Sequence, residues 1–187
     1  MIMLPLFIVV AILLAYLVAT VELCESNNGE AITHNISNIN YGSDDSPNLV
    51  PATYPITRGD SPAGCSYEKY VRVHVTAMGG SNAIDNIQIW ISNLGGGWKT
   101  GEHCQTNLKT AAYSAETYAS PSQTCYDDQS CPEADPGSAN LGCGGSLAGQ
   151  ITAAGYSDYW KSQEHTTIAT EPGDVNTKTW TIQYDEQ

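Results

Sequence analysis

From Met1 to Val21 the chain, MIMLPLFIVVAILLAYLVATV, carries no charged side chain, and the first Lys or Arg anywhere is Arg58. Water does not solvate such a run, so it must be buried in lipid, in protein or among copies of itself. As a helix it is about 30 Å long, which matches the hydrocarbon thickness of a bilayer. Pro5 falls in the first turn, where a missing N–H costs at most one bond. The expected helix starts near Met3 or Leu4 and stops near Glu25, with Ser26-Asn27-Asn28-Gly29 as terminator. A cleaved secretory signal normally has a basic n-region, which is missing here. A plain membrane anchor normally has flanking Lys or Arg, and those are missing too.

The register Met1-Ile2-Met3-Leu4-Pro5-Leu6-Phe7-Ile8-Val9-Val10-Ala11-Ile12 resembles the mature N-terminus of a type IV pilin. Bacterial pilins usually carry a glutamate at the fifth position, where this chain has Pro5, and they continue into an amphipathic second half of the helix, where this chain turns polar by Asn28. Both departures resemble archaeal pilins, in which an apolar helix precedes an immunoglobulin-like β domain. The resemblance implies a membrane anchor before assembly that becomes a filament core afterwards, with Leu6, Phe7, Ile8, Val10, Ala11, Leu14, Leu17 and Val18 as the assembly residues.

The 187 residues leave enough chain after this run for one domain with its own core. Seven basic against 20 acidic residues give a formal charge of −13, so nucleic acid is a poor partner and a solvated, self-repelling exterior is expected. The six cysteines, Cys24, Cys65, Cys104, Cys125, Cys131 and Cys143, read as up to three disulfides in an exported chain. Cys125 and Cys131 either close a local loop or pair with Cys104 and Cys143. Cys24, at the end of the expected helix, has the alternative of staying a free buried thiol. No Cys-x-x-Cys occurs, so zinc ribbons and thioredoxin-like redox chemistry find no support.

Strict alternation marks the strands. In Tyr70 to Ala77 the valines fall on one face and Arg72, His74 and Thr76 on the other. After a turn at Gly79-Gly80-Ser81-Asn82, Ile87 to Ser92 alternates again, and the two are expected to pair as antiparallel neighbours. Residues 147–153 and 165–170 read as further regular pieces. Thr177 to Tyr184 places Trp180, Ile182 and Tyr184 on one face of a last strand, expected to sit inside a sheet. Between them, about 98–146 lacks periodicity and holds four of the cysteines. The expected fold is mainly β: a hydrophobic helix over 1–26, then an antiparallel, disulfide-stapled β-sandwich over 27–187, immunoglobulin-like or related, with a cysteine-rich irregular insertion.

Candidate chemistry is sparse. No cysteine has a histidine within the next few residues, which argues against a blue-copper loop, and no Gly-x-Ser-x-Gly elbow appears. Asp127, Asp128, Glu133 and Asp135 form the one calcium candidate, without EF-hand spacing, and a solvated loop is the better reading. Asn35-Ile36-Ser37 is an N-glycosylation sequon, making Asn35 a candidate acceptor. The expectation is therefore a non-enzymatic, cofactor-free structural subunit of an extracellular filament. Its partners are its own copies and, before assembly, a membrane. A membrane-anchored binding or adhesion module and a virion structural protein are the alternatives.

Overall fold

The computed structural model describes residues 18–59, 64–111, 129–173 and 176–187. Nine strands follow one another: β1 (Thr20–Asn27), β2 (Ala31–His34), β3 (Lys69–Ala77), β4 (Ile84–Asn93), β5 (His103–Ala111), β6 (Gln129–Ser130), β7 (Gly155–Tyr156), β8 (Tyr159–His165) and β9 (Thr179–Glu186). The fold is mainly β, at 40% strand, all pairing is antiparallel, and no helix occurs among the described residues. The expected class, a hydrophobic helix followed by a sandwich, is corrected accordingly.

The correction is concrete at Thr20 to Glu25, which form not the last turns of a helix but strand β1, paired on one side with β2 and on the other with β3. The local reason is a period of two. Val21 and Leu23 pack against the core, while Glu22 and Cys24 point to the opposite face. Ser26 and Asn27 continue the strand, and Asn28, Gly29 and Glu30, with φ of 43°, 81° and 68°, make the turn of a β1–β2 hairpin rather than a helix terminator. The assembly residues Leu6, Phe7, Ile8, Val10, Ala11, Leu14 and Leu17 lie outside the described residues, and Val18 is 65% exposed. No described helix is long and apolar enough to cross a membrane.

The larger sheet runs β2-β1-β3-β8-β5-β6, with β7 also pairing β3, and the smaller sheet is β4-β9. A seven-plus-two division is not the four-plus-three split of an immunoglobulin constant domain. β3 and β4 were expected to pair, yet they lie in different sheets, so the Gly79-Gly80 turn carries the chain from one layer to the other. β9 pairs only β4 among the described strands. The region without periodicity holds β5, whose neighbour is β8. Residues 147–153 contribute only a bridge from Ile151 to Ile84, and the strand expected over 165–170 lies earlier, at Tyr159–His165.

The core forms between the layers. Val71, Val73 and Val75 of β3 and Trp160 of β8 meet Ile84, Ile87 and Ile89 of β4, and Trp180, Ile182 and Tyr184 of β9 close over them. The faces expected for β3 and β9 are the observed ones. Trp160 and Trp180 rings lie 4.2 Å apart across the layers.

The expected disulfide framework is also corrected. Cys104, Cys131 and Cys143 are buried free thiols, Cys24 is one too, as its alternative reading has it, Cys65 is disulfide-bonded, and Cys125 lies outside the described residues. Cys104 and Cys131 stand side by side where β5 meets β6, with the Cys131 N–H donating to the Cys104 carbonyl at 3.2 Å. Burial and the neighbouring Cys104 push the Cys131 thiol well above its ordinary range.

Candidate functional site

The larger sheet has an outer face as well as a core face, and the polar half of the β1 and β3 alternation lines it. Register decides who meets whom. Cys24 of β1 lies opposite His34 of β2 and Arg72 of β3, Glu22 lies opposite His74, and His74 lies opposite Tyr156 of β7. Three strands therefore bring Glu22, Cys24, His34 and His74 to one spot, with their donor atoms all within 4.8 Å of one another.

The contacts converge on a single atom. Glu22 Oε1 is 2.7 Å from His34 Nδ1, 2.7 Å from His74 Nδ1 and 3.7 Å from Cys24 Sγ, while Cys24 Sγ lies 3.3 Å from His34 Nδ1. Burial grades across the cluster. Cys24 is fully buried, the Glu22 and His74 side chains are 20% and 16% exposed, and His34 is 49% exposed, so access from solvent is on the His34 side. Tyr156 stacks on His74 with centroids 4.1 Å apart and planes 11° from parallel, and the Arg72 guanidinium sits 3.9 Å over the same Tyr156 ring. These contacts fix the imidazole plane.

No family model matches the chain, and no curated protein or solved structure matches it. The cluster has to be judged by its own chemistry.

Hydrogen bonds from His74 and His34 hold the Glu22 carboxyl below its ordinary range, so it is an ionised acceptor at neutral pH. Burial, reinforced by the Glu22 charge, pushes the Cys24 thiol up to about 11. A buried thiol held protonated is a poor nucleophile, so a Cys–His catalytic pair does not describe this cluster. A thiol, two imidazoles and a carboxylate are instead the donor set from which zinc sites are built.

The other sequence candidates are scattered. Asp127 and Asp128 lie outside the described residues. Glu133 is exposed and accepts from Trp98 Nε1 at 2.6 Å, and Asp135 caps a turn by accepting from the Gly137 N–H at 2.7 Å, so the calcium candidate is not assembled among the described residues. Asn35 is exposed with φ of 55°, next to His34. His103 and His165 meet edge to face with Nε2 and Nδ1 2.8 Å apart, beside the buried Glu164. Burial, with Cys104 and Glu102 close by, raises the Glu164 carboxyl well above its ordinary range. This second cluster is partly buried and joins β5 to β8.

Sequence reasoning missed the Glu22/Cys24/His34/His74 cluster because it looked for a histidine soon after a cysteine. The usable signal was Glu22-x-Cys24, two donors on one face of a strand. It was hidden because those residues were assigned to a helix.

Proposed function

We propose that the chain is a structural subunit: its apolar segment joins copies of itself, after a membrane-inserted stage, and its acidic β domain is displayed outward. The observation that carries this reading is the join between the two parts. Ala19 is 7% exposed and its N–H donates to Glu186 Oε2 at 3.1 Å, and β1 begins at Thr20, an interior strand of the larger sheet. In the sequence the apolar run passes into β1 with no polar linker between them. A binding module on a membrane tether needs no such short connection, whereas a repeating subunit gains from one.

The acidic exterior suits an exposed assembly in which displayed domains repel one another and self-contact is left to the apolar segment. Replacing Leu14 by Asp puts an uncompensated charge in the middle of the apolar run, at a cost of several kcal/mol in any apolar surrounding. The expected result is loss of assembly in sedimentation and negative-stain microscopy, with the β domain's far-ultraviolet circular dichroism unchanged. A Leu14→Asp protein that assembles like the parent contradicts the proposal.

A further inference from the structure

We infer that Glu22, Cys24, His34 and His74 form a structural site for one zinc-class divalent cation that ties β1, β2 and β3 together. This goes beyond the proposed assembly role and does not depend on it.

The bland account of these side chains is a hydrogen-bonded patch on a sheet face. An ionised carboxylate has two oxygens with about four lone-pair sites for such donors. Here two imidazole nitrogens and the thiol all approach Glu22 Oε1, and four of the six separations among the donors are 2.7, 2.7, 3.3 and 3.7 Å. Zinc bonds of about 2.0–2.3 Å at tetrahedral angles put neighbouring donors roughly 3.4–3.6 Å apart. The four separations fall on both sides of that range, and the two imidazole nitrogens reach it by moving about 0.7 Å away from Glu22 Oε1. His34 is the most exposed of the four side chains.

Charge agrees with geometry. A thiolate and a carboxylate cancel a divalent cation, leaving a neutral site with two neutral imidazoles, which is the combination a half-buried sheet face accommodates at least cost. Binding releases the Cys24 proton to solvent, and no redox step is involved. Four protein donors leave no open position for a substrate, so the site is structural rather than catalytic. A blue-copper centre uses two imidazoles and a thiolate with a weak, distant axial ligand, and an anionic carboxylate is a strong ligand in that place. A supporting contact is present: Tyr156 stacks on His74, and the Arg72 guanidinium covers the same Tyr156 ring.

The test uses the full chain, freed of metal and titrated with Zn²⁺ alone and with Co²⁺ alone. One equivalent of Zn²⁺ should bind and raise the melting temperature. Co²⁺ should give a thiolate-to-cobalt charge-transfer band with tetrahedral visible bands. Cys24→Ser should remove the charge-transfer band, and Cys143→Ser, which deletes a buried thiol elsewhere, should keep it. Because Cys24→Ser could perturb folding, Tyr156→Leu serves as a second variant. It removes the ring that stacks on His74 and carries the Arg72 guanidinium, leaves all four donors in place, and should weaken Zn²⁺ binding by about 10–100-fold while retaining the band. No stoichiometric Zn²⁺ binding by the folded parent overturns the site. So does a cobalt spectrum indifferent to Cys24→Ser, or stoichiometric copper in place of zinc in the protein as isolated.

Discussion

Lys69→Ala should cost about 3–5 kcal/mol of folding stability, because it strips the partner from a carboxylate that water does not reach. Lys69 and Glu25 side chains are each 1% exposed, with Nζ 2.9 Å from Glu25 Oε1. The ammonium also donates to the Ser46 carbonyl at 3.0 Å, so one side chain holds β3, β1 and the loop after β2 together. In the variant, Glu25 keeps the Asn27 side-chain amide at 2.8 Å and has lost the one cation bonded to it among the described residues. Urea unfolding reads the loss as a midpoint lowered by roughly 2 M, at the slopes usual for a domain of this size. The double variant Lys69→Met with Glu25→Leu buries no charge and should recover most of that loss. If the single variant unfolds with the parent's midpoint, the pair contributes nothing and this view of the core's edge is wrong.

Trp160→Ala should cost a similar 3–5 kcal/mol, through lost packing rather than lost charge. Trp160 is fully buried on β8 beside Val71, and it faces Trp180 of β9 in the other layer. β4 and β9 form a sheet of only two strands, and such a pair is marginal unless a larger body covers it. Removing the indole takes away the largest side chain covering it. Near-ultraviolet circular dichroism should lose the signal of the Trp160–Trp180 pair as the melting temperature falls. Trp160→Phe, which keeps an aromatic ring there and deletes an indole N–H that has no hydrogen-bond partner among the described residues, should fall between parent and Ala. A parent-like melting temperature for Trp160→Ala would mean that the two layers do not depend on this contact.

Strands were legible in the sequence where one face is apolar and the other polar. β3 and β9 show that pattern over several residues, and their buried faces are those the alternation indicates. β5 was hidden because its buried positions include Cys104 and Thr106 rather than large apolar residues, and β8 because it is buried on both faces. β8 buries Ser162, Gln163, Glu164 and His165 beside Trp160, so polarity no longer marks exposure. β1 was hidden for another reason. Its alternation, Val21-Glu22-Leu23-Cys24, directly follows an apolar run whose composition suits a helix, and the longer signal absorbed the shorter one. That error also concealed the candidate site, since its four donors share a face only when residues 20–27 are a strand and β2 and β3 flank it in register. Pairing itself was not legible. Alternation says that β3 and β4 are strands, while the layer each joins depends on contacts distant in sequence.

The proposed assembly role depends on the short connection at Val18 to Thr20, which a domain on a tether does not need. An insert of about eight Gly and Ser residues between Val18 and Ala19 has an end-to-end distance near 15 Å and no preferred direction. It leaves the apolar residues and every strand in place. Negative-stain microscopy of parent and insertion protein, prepared identically, compares them directly. The account predicts regular assemblies of uniform width for the parent and only irregular aggregates or dispersed particles for the insertion protein, with equal far-ultraviolet circular dichroism. Regular assemblies of the same width from the insertion protein, or none from the parent, would contradict it.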